Sequence, residues 1–202
     1  MAGYGLRPVG KGGTTVTDYD TGGFTEYPIV DGSLINWLTG DTVELGTDGY
    51  ALRPNAATGE TPTNGAGKRI YGVAVGFRYT DADGSPVWSQ KYTGNANNTD
   101  AFVMVADDPN QIFMIRSSGN TTFADVGSNA PITTFNNSSD ANVTNGLSGI
   151  TLLHSGIGPA VTLALRIVGI SDEAGTTATT RDVLVRINTG VHATTNALGD
   201  NT

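Results

Sequence analysis

The chain has no cysteine and only two histidines, His154 and His192, among its 202 residues. A disulfide framework, thiolate metal sites and cysteine nucleophiles are therefore excluded, while the redox compartment stays open. The histidines are far apart in sequence, and neither has a ligand-type neighbour at i+2, i+3 or i+4, so the spacing of a zinc site is missing. Both read as loop residues held by backbone hydrogen bonds.

Charge is sparse as well. Only 15% of residues are charged, and 19 acidic against 11 basic side chains give a net charge of −8. That sign is wrong for a protein whose main task is to cover phosphates, so nucleic acid is not an expected partner. No run reaches the roughly 18 apolar residues of a membrane span, and "MAGYGLRPVGKGGTTV" lacks the roughly 7–15 apolar residues of a signal peptide. The expectation is a soluble chain without a membrane partner, not exported by the usual route.

What the chain does have is glycine (28 residues), threonine, asparagine and serine around a 38% hydrophobic content. This is enough to bury a core, and the long Glu- and Lys-laced periodic segments of surface helices are absent. The reading is a mainly β fold, a small β-barrel or sandwich with many turns. "GDTVELGTDGYALRP" (40–54) predicts two strands around a Gly-Thr-Asp-Gly turn, the first with Val43 and Leu45 on one face and Thr42 and Glu44 on the other. In "GVAVGFRY" (72–79), Val73, Val75, Phe77 and Tyr79 alternate with Gly72, Ala74, Gly76 and Arg78, and the small side invites close approach of another strand or subunit. Two hairpins are expected next, one turning at Asp83–Gly84 and one at Asp107 to Asn110. The second has apolar residues on both faces and is assigned to the centre of the core. Later strands fall in "AVTLALRIVGI" (160–170), with Val161, Leu163, Leu165 and Ile167 on one face, and in "DVLVRIN" (182–188).

Three regions stand out from this β domain of residues 36–189. Residues 1–35 form a Gly- and Thr-rich extended N-terminal arm with no acid before Asp18. So little apolar mass does not offset the entropy of ordering such a segment alone. The apolar residues spaced along it serve either to anchor it to another subunit or to wrap it around its own domain. Residues 117–149 read as a long, exposed polar excursion with short elements near Phe123 to Val126 and Ile132 to Phe135. They hold four of the five Asn-x-Ser/Thr sequons, at Asn120, Asn136, Asn137 and Asn142, the fifth being at Asn97. Residues 190–202 read as a loose tail.

Catalytic motifs fail at their diagnostic positions. "LLHSGIG" puts Leu153 and Ile157 where a nucleophile elbow around Ser155 needs glycines. "TNGAGKR" has Pro62 where a phosphate loop needs its first glycine, and Arg69 where it needs Ser or Thr after Lys68. "DADG" spaces Asp81 and Asp83 like calcium-loop ligands, but Tyr92 stands at the twelfth position. Asp107 and Asp108 precede Pro109 in a turn, without a partner carboxylate pair. The expectation is a non-enzyme with no cofactor.

Read together, "LTGDTVELGTDGY", "YGVAVGFRY", "FVMVADDPNQIFMIR", "TTFADVGSNA" and "LALRIVGISDE…RDVLVRIN" resemble the small structural proteins of tailed bacteriophages, especially marine and cyanobacterial ones. The GD-x-V strand followed by a GVAVG strand is also similar to the small β-barrel of lambda-type capsid decoration, or cement, proteins. The chain is longer than that minimal fold, and 117–149 has no counterpart in it. The resemblance implies a homotrimer on the outer capsid surface of the virion that binds the major capsid protein and stabilises the coat lattice. The alternative it leaves is another virion component: a head fibre base, a tail or adaptor part, or a host-contacting module. With the arm as contact element, the interface candidates are Tyr4, Leu6, Arg7, Lys11, Phe24, Tyr27 and Ile29.

Overall fold

The computed structural model describes residues 3–11, 23–53, 70–133, 145–171 and 180–188. Within them the chain is mainly β, in antiparallel sheets, and none of the sheets closes into a barrel. In chain order the strands are β1 (Arg7–Lys11), β2 (Thr25–Pro28), β3 (Trp37–Leu38), β4 (Thr42–Leu45), β5 (Ala51–Leu52), β6 (Gly72–Thr80) and β7 (Pro86–Ser89). They continue as β8 (Lys91–Tyr92), β9 (Thr99–Ala106), β10 (Gln111–Arg116), β11 (Asn129–Ala130), β12 (Leu165–Ile170) and β13 (Asp182–Ile187). A five-stranded sheet runs β1-β10-β13-β12-β11. A six-stranded sheet runs β2-β9-β6-β4-β5, with β7 also on β6, and β3 pairs β8 in a small ribbon.

Two cores follow from this division. The first packs Phe113, Ile115, Leu165, Ile167, Val183 and Val185 from the inner face of the five-stranded sheet against Leu6, Ile132 and Leu152. The second lies on the six-stranded sheet, where Val43, Phe77, Val103 and Val105 meet Trp37 and Tyr92 of the ribbon. Trp37 and Phe77 stack edge to face with centroids 6.2 Å apart, a geometry that adds specificity to apolar burial.

The strand β6 belongs to both cores because a β-bulge breaks its alternation. Its register to β9 steps from Ala74 directly to Gly76. Val73 and Val75 therefore pack with the first core, and Ala74, Phe77 and Tyr79 with the second. The expected single face of Val73, Val75, Phe77 and Tyr79 is thus corrected: one extra residue inverts a period of two. The close approach predicted on the small side is made by β9 of the same chain. A Cβ at Gly72 would lie 2.6 Å from the Ala106 carbonyl oxygen, and one at Gly76 2.6 Å from Met104 Cε.

The hairpin of β6 and β7 forms as expected. Asp81 Oδ1 accepts from the backbone N–H of Asp83 and Ser85 at 3.0 and 2.8 Å, and Gly84 takes φ +81°. The expected second hairpin does not form. β9 pairs with β2 and β6, whereas β10 pairs with β1 and β13, so Asp107 to Asn110 carry the chain from one sheet into the other. Each strand is flanked on both sides, which accounts for the apolar character that suggested a central pair.

The strand β4 is also more buried than its alternation implied: Thr42 and Glu44 are enclosed together with Val43, because β5 and β6 flank it. Val161 lies outside the later strand and is 79% exposed, so that strand starts only at Leu165.

Of the two arrangements open for residues 1–35, the described parts take the one that wraps their own domain: they supply β1 and β2, which form the outer strands of two different sheets, and Leu6 and Ile29 are core residues at 0% and 3% exposure. The polar excursion is exposed only in part. Ser118, Asn120 and 122–124 are exposed, whereas Ala130 and Ile132 join the first core, Ser148 is buried, and buried Thr121 donates to Ser117 Oγ at 2.8 Å. Hydroxyls that satisfy one another can be enclosed, so Ser- and Thr-rich composition did not mean exposure. The 3-10 turn at Phe123–Asp125 matches the expected short element. Residues 54–69, with the TNGAGKR stretch, Phe135, His192 and residues 190–202 lie outside the described residues.

The turn Leu38 to Asp41 joins these pieces. Asp41 Oδ2 accepts from Leu38 N at 2.9 Å and pairs with Arg53 Nε at 2.7 Å. Gly40 N donates to Ala74 O, Ala74 N to Asp41 O and Leu6 N to Gly40 O, while Thr39 bonds Gln90, Gly146 and Ser148 through the backbone. Gly40 (φ +92°) and Gly5 (φ +74°) touch so closely that a Cβ on Gly5 would lie 2.7 Å from Gly40 O. The Asp41 carboxyl is fully enclosed. Burial pushes its pKa up, against the Arg53 guanidinium, the Ser148 hydroxyl and the Leu38 N–H, which pull it down. Replacing Asp41 with Ala removes a buried ion-pair partner of Arg53 and the acceptor of the Leu38 N–H, so Asp41→Ala is expected to lose about 3–5 kcal/mol in urea unfolding. A loss below about 1 kcal/mol would show that the pair is not a structural tie.

Candidate functional site

The motif-bearing residues considered first are structural. His154 starts a 3-10 turn, its N–H donates to Ser118 Oγ at 3.0 Å, and its ring lies 3.3 Å from Thr121 Oγ1. Asp108 caps the sheet-to-sheet turn by accepting from Asn110 N at 2.8 Å, and Asp107 accepts from the Tyr27 hydroxyl at 2.9 Å. Among the described residues no group of three or more His, Cys, Asp or Glu could hold a metal ion. What remains is the surface, and two parts of it are built from the predicted interface segment.

The first part surrounds Tyr4. Arg116 on β10 forms a two-pronged ion pair with Asp182 on β13, Nε to Oδ1 at 2.8 Å and Nη2 to Oδ2 at 3.1 Å. The Tyr4 ring lies between two guanidinium groups, with Arg7 Cζ 5.5 Å and Arg116 Cζ 5.4 Å from its centroid. Burial, and then the Asp182 carboxylate, push the Tyr4 hydroxyl pKa well above its ordinary value. Tyr4 and Arg7 therefore belong to one cluster at the outer edge of the five-stranded sheet. Leu6 is buried between them, and Lys11 stands opposite Gln111 at the end of β1.

The second part is the outward face of the six-stranded sheet. Phe102 and Met104 on β9 alternate with the buried Val103 and Val105 and are half-exposed. Arg78 stands opposite Phe102 on one side and Trp88 on the other, with its Cζ 3.9 Å from the Phe102 ring centroid. From there it reaches across β9 to Glu26 on β2, with Nη2 2.8 Å from Oε2. Trp88 is 68% exposed, and Phe24, two residues before Glu26, is 46% exposed. An exposed Trp and a half-exposed Phe and Met thus share one flat face around a single ion pair. Tyr27 points the other way, edge-on to Tyr71 at 5.2 Å, and Ile29 is buried. Of the seven candidates, Tyr4, Arg7 and Phe24 fall on these surfaces.

Trp88 is not among the seven interface candidates read from the sequence. The available signal was its position in the Asp83–Gly84 hairpin: opposite Arg78, it had to share that residue's solvent-facing side. Comparison of the chain with family models, with curated proteins and with solved structures gives no match.

The hydrogen bonds from Arg78 hold the Glu26 carboxyl below its ordinary pKa. For a depressed carboxylate, the contribution to stability is present above the unfolded-state value and is lost as pH falls through the folded one. In a carboxyl-carbon NMR titration, Arg78→Ala should return Glu26 to the ordinary carboxylate range. An unchanged midpoint would mean that the ion pair is not populated in solution.

Proposed function

We propose that the chain is a capsid decoration protein of a tailed phage, a trimeric structural subunit that binds the major capsid protein on the outer surface of the head. In this reading its two sheets form a sandwich-like body and its role is mechanical, with no catalytic step. The observation that supports it is the flat outward face of the six-stranded sheet, with Trp88, Phe24, Phe102 and Met104 around the Glu26–Arg78 pair. Contiguous apolar surface of this kind marks protein contact, and exposed Trp is the residue type most enriched among energetic anchors. A lattice that repeats such a contact converts modest single affinities into a firm hold. The N-terminal segment contributes by building that face, since β2 completes it in the same chain, rather than by reaching out as a free arm.

The test is co-sedimentation of the purified protein with heads that lack it. Saturation should approach the copy number of the coat protein, and Trp88→Ala should weaken binding by about 2 kcal/mol or more while leaving unfolding unchanged. Failure of the unaltered protein to pellet with heads, or saturation at the few copies of a tail part, would overturn the reading.

A further inference from the structure

The positive charge of this acidic chain is not scattered. Arg7, Arg116, Arg166 and Arg186 all stand on the outward face of the five-stranded sheet, alternating with inward core residues such as Phe113, Val185 and Leu165. These are four of the eleven basic residues in the chain. Among the described residues only Asp182 opposes them on that face, paired with Arg116. Arg166 and Arg186 are direct cross-strand partners on β12 and β13, a placement that sets like charges side by side. The Nε of Arg186 is enclosed without a hydrogen-bond partner, and Arg166 is exposed. Two guanidinium groups side by side, with Asp182 engaged by Arg116, form a cationic patch that favours an anion from outside.

Acidic groups gather elsewhere. Asp31 precedes Gly32, whose N–H bonds the Asn98 carbonyl at 3.0 Å, Asp100 follows Thr99, which stands opposite Thr80 at the end of β6, and Asp81 and Asp83 form the turn of the β6–β7 hairpin. Asp31, Asp83 and Asp100 are exposed. These residues mark one end of the six-stranded sheet, on a different sheet from the arginines. Setting aside the four arginines and Asp182, the rest of the chain holds seven basic against eighteen acidic residues. A second copy therefore offers the complement that the arginine face lacks.

We infer that copies of this chain associate head to tail, with the Arg166–Arg186 face of one molecule seated on the Asp31, Asp83 and Asp100 end of the next. A contact between two different surfaces closes into a ring when the rotation permits, and a cyclic trimer is one such ring. Carboxylates meeting the exposed Arg166 and the accessible part of Arg186 relieve the Arg166–Arg186 repulsion. The inference rests on charge placement within the chain and does not depend on a virion role.

The experiment is sedimentation velocity on the purified full-length protein at about 50 mM and about 500 mM salt, where screening of exposed charges differs strongly. The expected result is an oligomer at low salt that dissociates at high salt. Arg166→Glu/Arg186→Glu should be monomeric at low salt, and so should Asp31→Lys/Asp83→Lys, whose substitutions lie in exposed turns away from the arginine sheet. Mixing the two variants should restore association into alternating, even-numbered assemblies, because each carries one intact and one reversed surface that match those of the other; a ring of three cannot alternate and does not close. That rescue also shows that both variants fold. A monomer under all conditions, an oligomer that neither variant weakens, or no rescue on mixing would overturn the inference. So would a monomer whose arginine face binds double-stranded DNA, because the anion it takes would then be phosphate. Heads are absent from the assay, so its outcome is separate from that of head binding.

Discussion

A single buried carboxylate sets the geometry on which both sheets depend. Asp41 is closed off from water and bound to Arg53, and the turn it stabilises accepts a backbone hydrogen bond from the N-terminal segment, donates one to Gln90 and exchanges them with β6 and the 146–148 stretch. These stretches are remote in sequence, and no other feature of the described chain brings so many together. An ion pair in such a place adds little net stability compared with an apolar substitute, but losing half of it is costly, and its geometry admits one arrangement. The contact of Gly5 with Gly40 works in the same direction, since two positive-φ glycines allow the N-terminal segment to cross the turn at backbone distance. β1 and β2 are placed downstream of that crossing.

The longer strands β6, β9, β10, β12 and β13 are legible in the amino-acid pattern, whereas β1, β2, β3 and β11, and the partners of most of them, are not. Alternation in 72–79 and 182–188 locates β6 and β13 well, because period two is a local property of a chain half-buried in a sheet. Which strand lies beside which is not local. Phe102 to Ile115 reads as one hairpin from its turn residues, yet the chain leaves one sheet and enters the other at Asp107 to Asn110. The bulge at Val75 is invisible for the same reason, since a one-residue slip is set by what β9 presents across the ladder. Composition misled most in 117–133, where hydroxyl-rich sequence packs against a core by bonding to itself.

The surfaces show the same division. Of the candidates in the N-terminal segment, Arg7 and Phe24 are exposed and Tyr4 is partly buried. Leu6 and Ile29 could not be told from them, because apolar residues in a Gly-rich segment look alike whether they anchor to a neighbour or to their own domain. The outward faces of the two sheets are two-dimensional. Arg78, Phe102 and Trp88 come from three strands, and Arg7, Arg116, Arg166 and Arg186 from four, so neither set forms a motif in the linear chain. One sheet offers an aromatic outward face and the other a cationic one. A subunit that holds a lattice with one surface and its own copies with another would use such a division of labour.

The most direct measurement is a cryo-EM reconstruction of the parent particle, with the two-sheet body fitted as a rigid unit. A decoration role predicts density of this size at every local three-fold or inter-capsomer position, with the Trp88 face against the coat. Density confined to the tail or to one vertex, or its absence from the particle, would contradict it.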